Sequence, residues 1–178
     1  PALSAVAPAG FLNVLIDPQA DGVVRSVPLI ARYAPAGGAD VASAGYYESL
    51  GLAVYRRATG ASAPAPRFAA TGGPGLTLES LVMGRPEGPL AVPVDRYAGI
   101  RVPYRGPGGA HGGSFRYIPA IDVLGGHLAA GELDGKIVLV GASAPGLQDQ
   151  RATPVSATYP GVEVHANVIS SLLDRRFL

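Results

Sequence analysis

The chain has 178 residues, a size that favours a single domain. Lysine and arginine number 14 against 13 acidic residues, so the net charge is +1 and there is no basic footprint for a nucleic-acid partner. Apolar residues make up 48% and charged residues 15%, enough for a core and too few charges for disorder. No cysteine is present, which excludes disulfides and thiolate metal sites.

No apolar run reaches the roughly 18 residues that would cross a bilayer. The start, Pro1-Ala-Leu-Ser-Ala-Val, has neither an initiator methionine nor the charged region of a signal peptide, and the expectation is a piece of a longer protein. Lys136 stands against thirteen scattered arginines, a compositional bias rather than a binding patch.

In chain order, residues 11–33 read as a β-hairpin. Phe11-Leu-Asn-Val-Leu-Ile-Asp17 is the first arm, Pro18 to Gly22 has turn chemistry, and Val23 to Tyr33 returns. Pro28 cannot donate to a ladder and marks an edge or a bulge. After a polar connection, Tyr46, Leu50, Ala53, Val54 and Arg57 recur at helical spacing, predicting a helix over 46–59 with Gly60 as its stop. Residues 61–75 read as a linker. Residues 76–83 are short and partly alternating, open to a strand or a helix. Residues 90–94 and 99–105 read as extended.

Gly106 to Gly113 reads as a flexible loop, with a short strand at 115–118 returning from it. Ile121, Leu124 and Leu128 have helical spacing, weakened by Gly125 and Gly126. Lys136-Ile-Val-Leu-Val-Gly141 has the pattern of a strand buried on both faces, residues 142–159 read as a long loop, and 161–173 as a packing helix. The expected fold class is therefore α/β: a mixed sheet with a buried central strand (136–141), a β-hairpin (11–33) and packing helices (46–59, 161–173).

Candidate chemistry is sparse. Gly141 and Ser143 match the start of a nucleophile elbow, but position 145 is proline, and a hydrogen bond from Ser143 to its own loop is the plainer reading. Gly106 to His111 lacks the third glycine and the following helix of a dinucleotide loop. Asp17 and Asp21 lack the distal glutamate of a calcium loop and read as turn caps. His111, His127 and His165 show no i, i+4 pair, so no metal site is expected, and no cofactor. A polar pocket is expected where the loop after the 136–141 strand meets the last helix, from Ser143, Asp149, Arg151, Thr153, Glu163, His165 and Asn167. The bland alternative is a hydrogen-bonded network pinning that loop. The enzymatic alternative is a hydrolase using Ser143, His165 and Asp149, which needs the serine within hydrogen-bond reach of the imidazole.

Several segments together carry a family likeness. They are the arm from Phe11, Asp21-Gly-Val-Val-Arg-Ser-Val-Pro-Leu29, Tyr47-Glu-Ser-Leu-Gly-Leu-Ala53, Ile100-Arg-Val-Pro-Tyr-Arg-Gly106, Phe115, Ile121-Asp-Val-Leu124, Leu133-Asp-Gly-Lys-Ile-Val-Leu-Val-Gly-Ala-Ser-Ala-Pro-Gly-Leu147, Asp149, Thr153-Pro154 and Pro160-Gly-Val-Glu-Val-His-Ala-Asn167. Across nearly the whole chain this resembles the CHASE2 domain, most specifically in the last third. The resemblance implies one sensory domain spanning 1–178, lacking the further N-terminal α/β portion with which the family's domain normally begins. It implies a non-enzymatic input module, periplasmic or extracellular, of a membrane-anchored bacterial receptor with an adenylate or guanylate cyclase or a sensor kinase as output. As a sensor it is expected to bind an unassigned small molecule or envelope component that shifts a homodimer between two arrangements, and the near-balanced charge gives no expectation of a nucleic-acid partner. The family offers no catalytic residues to transfer. The end at Leu173-Asp-Arg-Arg-Phe-Leu178 is where a membrane span is expected to follow.

Overall fold

Two helices lie at the centre of the protein. In the computed structural model, residues 9–14, 21–33, 45–72, 75–110, 112–142 and 149–178 are described. Helix α1 (Leu50–Thr59) starts at Ser49, whose hydroxyl accepts from the Leu52 N–H at 3.3 Å. It stops at Gly60, which adopts a left-handed conformation (φ 69°) open to glycine without steric cost. Helix α3 (Gly161–Asp174) packs against α1 and buries nine residues, among them Val164, Val168, Ile169 and Leu172. These recur at three- and four-residue intervals, the period that lines one helix face. The short α2 (Ala120–Leu124) buries no residue.

The described strands form four small antiparallel sheets: β1 (Ser26–Pro28) with β7 (Gly99–Arg101), β2 (Ile30–Tyr33) with β3 (Gly45–Glu48), β4 (Ala65–Ala70) with β5 (Leu76–Met83) and β6 (Leu90–Pro93), and β8 (Gln150–Thr153) with β9 (Ser156–Pro160). Val27, Leu29, Leu81, Met83, Val92 and Ile100 meet Leu52, Tyr55, Val164 and Leu172 in one core. Each such side chain stabilises by about 1.5–3 kcal/mol when fully buried.

The mixture of helices and strands is the α/β class read from the sequence, but its parts differ from expectation. The two arms of 11–33 do not pair with each other among the described residues. Phe11 forms a parallel bridge to Ser49 instead, and the 23–33 arm divides at Leu29 between β7 and β3. Pro28, with no N–H to give, ends β1 at that division, and the Leu29 N–H goes to the Ala98 carbonyl at 2.8 Å. Residues 46–48 are strand rather than helix, because the capping serine places the helix start at 50. The linker contains β4, the ambiguous 76–83 segment is β5, 115–118 forms no strand, and the long loop contains the β8–β9 hairpin. Residues 143–148 lie outside the described part.

The largest correction concerns 136–141. The segment belongs to no strand, and Ile137, Val138 and Val140 are 40%, 54% and 94% exposed. A strand needs partners for its N–H and C=O groups, and no strand of the four sheets pairs with this segment. The run lies over the helices instead. Ile137 faces Leu50, Ala53 and Val54 of α1 across a shallow cleft of about 280 Å³, and an added Cβ at Gly141 would stand 2.6 Å from the Val162 side chain of α3.

Candidate functional site

The first turns of α3, the β8–β9 hairpin and Gly108, Gly109 and Gly113 of the glycine loop meet around a buried carboxylate. Glu163 is 2% exposed, because its place on the inner face of α3 turns it toward that loop. Its Oε2 accepts from the Gly109 N–H at 2.9 Å. Among the described residues its Oε1 and the Tyr117 hydroxyl are both buried without a partner in good hydrogen-bond geometry, yet the two groups stand close enough to influence each other. Burial raises the Glu163 pKa, against the opposing pull of the Gly109 N–H and the Tyr117 hydroxyl. Burial first, then the Glu163 and Tyr159 charges, pushes Tyr117 up to about 12. Such a carboxyl can hold a proton at a pH where an exposed glutamate has lost it.

Asn167, one turn along α3, is fully engaged. Its Nδ2 donates to the Tyr159 hydroxyl and to the Glu163 carbonyl, each at 2.8 Å, and its Oδ1 accepts from the Arg105 N–H at 3.1 Å. One amide thus ties α3 to β9 and to the chain after β7. Tyr159 meets Tyr104 edge-on with centroids 5.1 Å apart, and Tyr104 donates to the Val24 carbonyl at 2.9 Å. Burial raises the pKa of both tyrosines.

Thr153 serves its own turn: its hydroxyl donates to the Ser156 carbonyl at 3.1 Å and accepts from the Ser156 N–H at 3.2 Å. Asp149 caps α3 through its backbone, its carbonyl accepting from the Gly161 N–H at 2.7 Å, and its carboxylate lies 3.8 Å from Arg151. His165 is 6% exposed and its Nδ1 has no hydrogen-bond partner among the described residues. Burial lowers its pKa, against the raising effects of Asp149 and the Leu12 carbonyl.

Of the seven residues picked from the sequence, the structure gathers Glu163 and Asn167 into one network with Tyr159. It sets Asp149 and Arg151 at the helix start and turns Thr153 into its hairpin. Ser143 lies outside the described residues, and with it the geometry of the serine, histidine and aspartate combination. Among the described residues no group of three or more His, Asp or Glu side chains could hold a metal ion, and no helix is long and apolar enough to cross a membrane.

The tyrosines and the glycine loop are what sequence reasoning missed. A Cβ at Gly108 would collide with Glu163 Oε2 and stand 2.8 Å from the Tyr159 ring. The glycines read as flexibility therefore permit a close approach to α3.

Compared with known proteins, residues 1–178 match the family model described as the CHASE2 domain. Neither the curated proteins nor the solved structures searched gave a match.

Proposed function

We propose, from the premise that this chain belongs to the CHASE2 domain family, that it is the input module of a bacterial transmembrane receptor. CHASE2 is a family of extracytoplasmic sensory domains, and the match over all 178 residues is the observation that carries the reading. On this reading the domain faces the periplasm or the cell exterior, works by binding and not by catalysis, and governs a cyclase or kinase output.

The physical route for a signal is α3. It is buried on α1, and the β8–β9 hairpin and the glycine loop hold its first turns through Glu163 and Asn167. A ligand or a second copy that prefers one placement of this helix shifts the population of receptor states by its differential affinity. The seven polar residues at the start of α3 and in the preceding loop are the proposed place for that influence.

The test is a topology experiment in a bacterial host, with the full reading frame fused after residue 178 to alkaline phosphatase or to β-galactosidase. Alkaline phosphatase activity with an inactive β-galactosidase fusion is expected. The reverse pattern overturns the placement.

A further inference from the structure

Sharing no residue with the Glu163 cluster, an open groove of about 1270 Å³ runs between the β2–β3 pair and the β4–β5–β6 sheet. Its base is apolar, with Val14, Pro28, Ile30, Leu78 and Leu81, and Leu81 belongs to the buried core. Its walls are aromatic: Tyr46 and Tyr47 of β3 and Phe68 of β4 are each more than half exposed, as is Tyr97 in the turn after β6. Exposed aromatic rings converging on one concavity mark a binding surface more often than scattered single residues do.

Among the described residues the charge of the lining has one sign: Arg32 and Arg96 are present, and no aspartate or glutamate. Arg96 lies over the Tyr97 ring, 4.8 Å from its centroid, with no carboxylate in ion-pair reach among the described residues. A guanidinium seated over a ring can still turn N–H groups toward an anion and bind it bidentately.

We propose that this groove is a binding site for an amphipathic carboxylate, its long apolar body on the tyrosine, phenylalanine and proline walls and its anionic head at the arginines. A cation is repelled by both guanidinium groups, and a small polar anion leaves the apolar base uncovered. The volume exceeds the roughly 300–1,000 Å³ of most small-molecule sites, which suits a long chain better than a compact ring. The proposal deepens the sensory reading by naming a signal class, and only its role as a signal rests on that reading; binding itself does not.

The test uses the 178-residue chain with laurate below its micelle concentration, and with dodecylammonium and dodecyl maltoside as cationic and neutral controls of equal chain length. The protein has eight tyrosines and no tryptophan, so tyrosine emission reports occupancy of a groove lined by three of them. Saturable binding of laurate is expected, with dodecylammonium at least tenfold weaker. Arg96→Ala and Arg32→Ala should each weaken laurate about tenfold and leave dodecyl maltoside unchanged, while Arg96→Lys retains part of the affinity. Phe68→Ala, an exposed change, should weaken laurate and dodecyl maltoside together.

Equal binding of the cation, laurate affinity unmoved by both arginine variants with their circular dichroism intact, or no laurate binding overturns the proposal. So does light scattering that shows a dimer which the Tyr46→Glu variant dissolves, since a second copy is then the occupant. None of these outcomes bears on the topology fusions, so the site and the sensory placement fail separately.

Discussion

Two apolar segments of nearly equal hydrophobic character meet opposite fates. In 161–174 the apolar residues turn inward, and Val164, Val168 and Leu172 are at most 1% exposed. In 136–141 the residues are as apolar and better strand formers, yet Val140 is 94% exposed. A helix satisfies its own backbone, so it needs only one neighbour for its apolar stripe, and α1 provides it. A strand must find its hydrogen bonds in other strands, and the described residues supply none to 136–141. Burial therefore follows the availability of backbone partners as much as side-chain hydrophobicity.

The comparison breaks most easily at its buried end. Leu172→Ala should cost about 2–5 kcal/mol in urea unfolding, the range for truncating a core leucine. A cost under 1 kcal/mol would mean that α3 does not hold the core together. Asn167→Ala strips the Tyr159 hydroxyl of its amide donor and the Arg105 N–H of its acceptor, and should cost about 1–3 kcal/mol. Gly108→Ala should destabilise by about 1–3 kcal/mol, through collision with Glu163 and Tyr159. If that variant is as stable as the parent, the glycine loop does not pack on α3 in solution.

A pH series sharpens the picture around Glu163. Its folded pKa is raised above the unfolded value, so between the two the folded state binds more protons and stability falls as pH rises. His165 runs the other way: its folded pKa is lowered, so stability grows as pH rises through the window that ends at the ordinary histidine pKa. Glu163→Gln should remove the decline above the ordinary glutamate range and leave the histidine-linked rise in place. His165→Gln should do the reverse. Denaturant midpoints measured from pH 4 to 8 decide this, and identical profiles for parent and Glu163→Gln would deny the buried carboxylate its raised pKa.

The smallest effect is the most telling for the exposed end. Val140→Ser should change stability by less than about 0.5 kcal/mol, as for an exposed site without partners. A loss comparable to that of Leu172→Ala would show that strands from elsewhere cover the segment in solution, and the contrast between the two regions would vanish.

Sequence alone determined the local features whose cause is local. The helix period and Gly60 located α1 to within its first turn, the alternation of Ile100 and Val102 located an extended segment, and the apolar stripe of 161–173 located α3. The family likeness was equally legible, because it resides in the order of short motifs along the chain. Within the polar cluster, the membership of Glu163 and Asn167 could be read from their place at the start of the last helix. Their partners could not: Tyr117, Tyr159 and Gly109 come from elsewhere in the chain, and nothing in their local sequence marks them.

Only tertiary structure decided which strand pairs with which. Among the described residues the 23–33 arm pairs with β7 and β3 and not with its neighbour in sequence, and 136–141 finds no partner despite the strongest strand pattern in the chain. The physical reason is that periodicity records which side chains avoid water, whereas a sheet is closed by hydrogen bonds to segments far away in sequence. The arginine-lined groove belongs to the same category, since six separate stretches of chain have to fold together before its aromatic walls and its two arginines exist in one place.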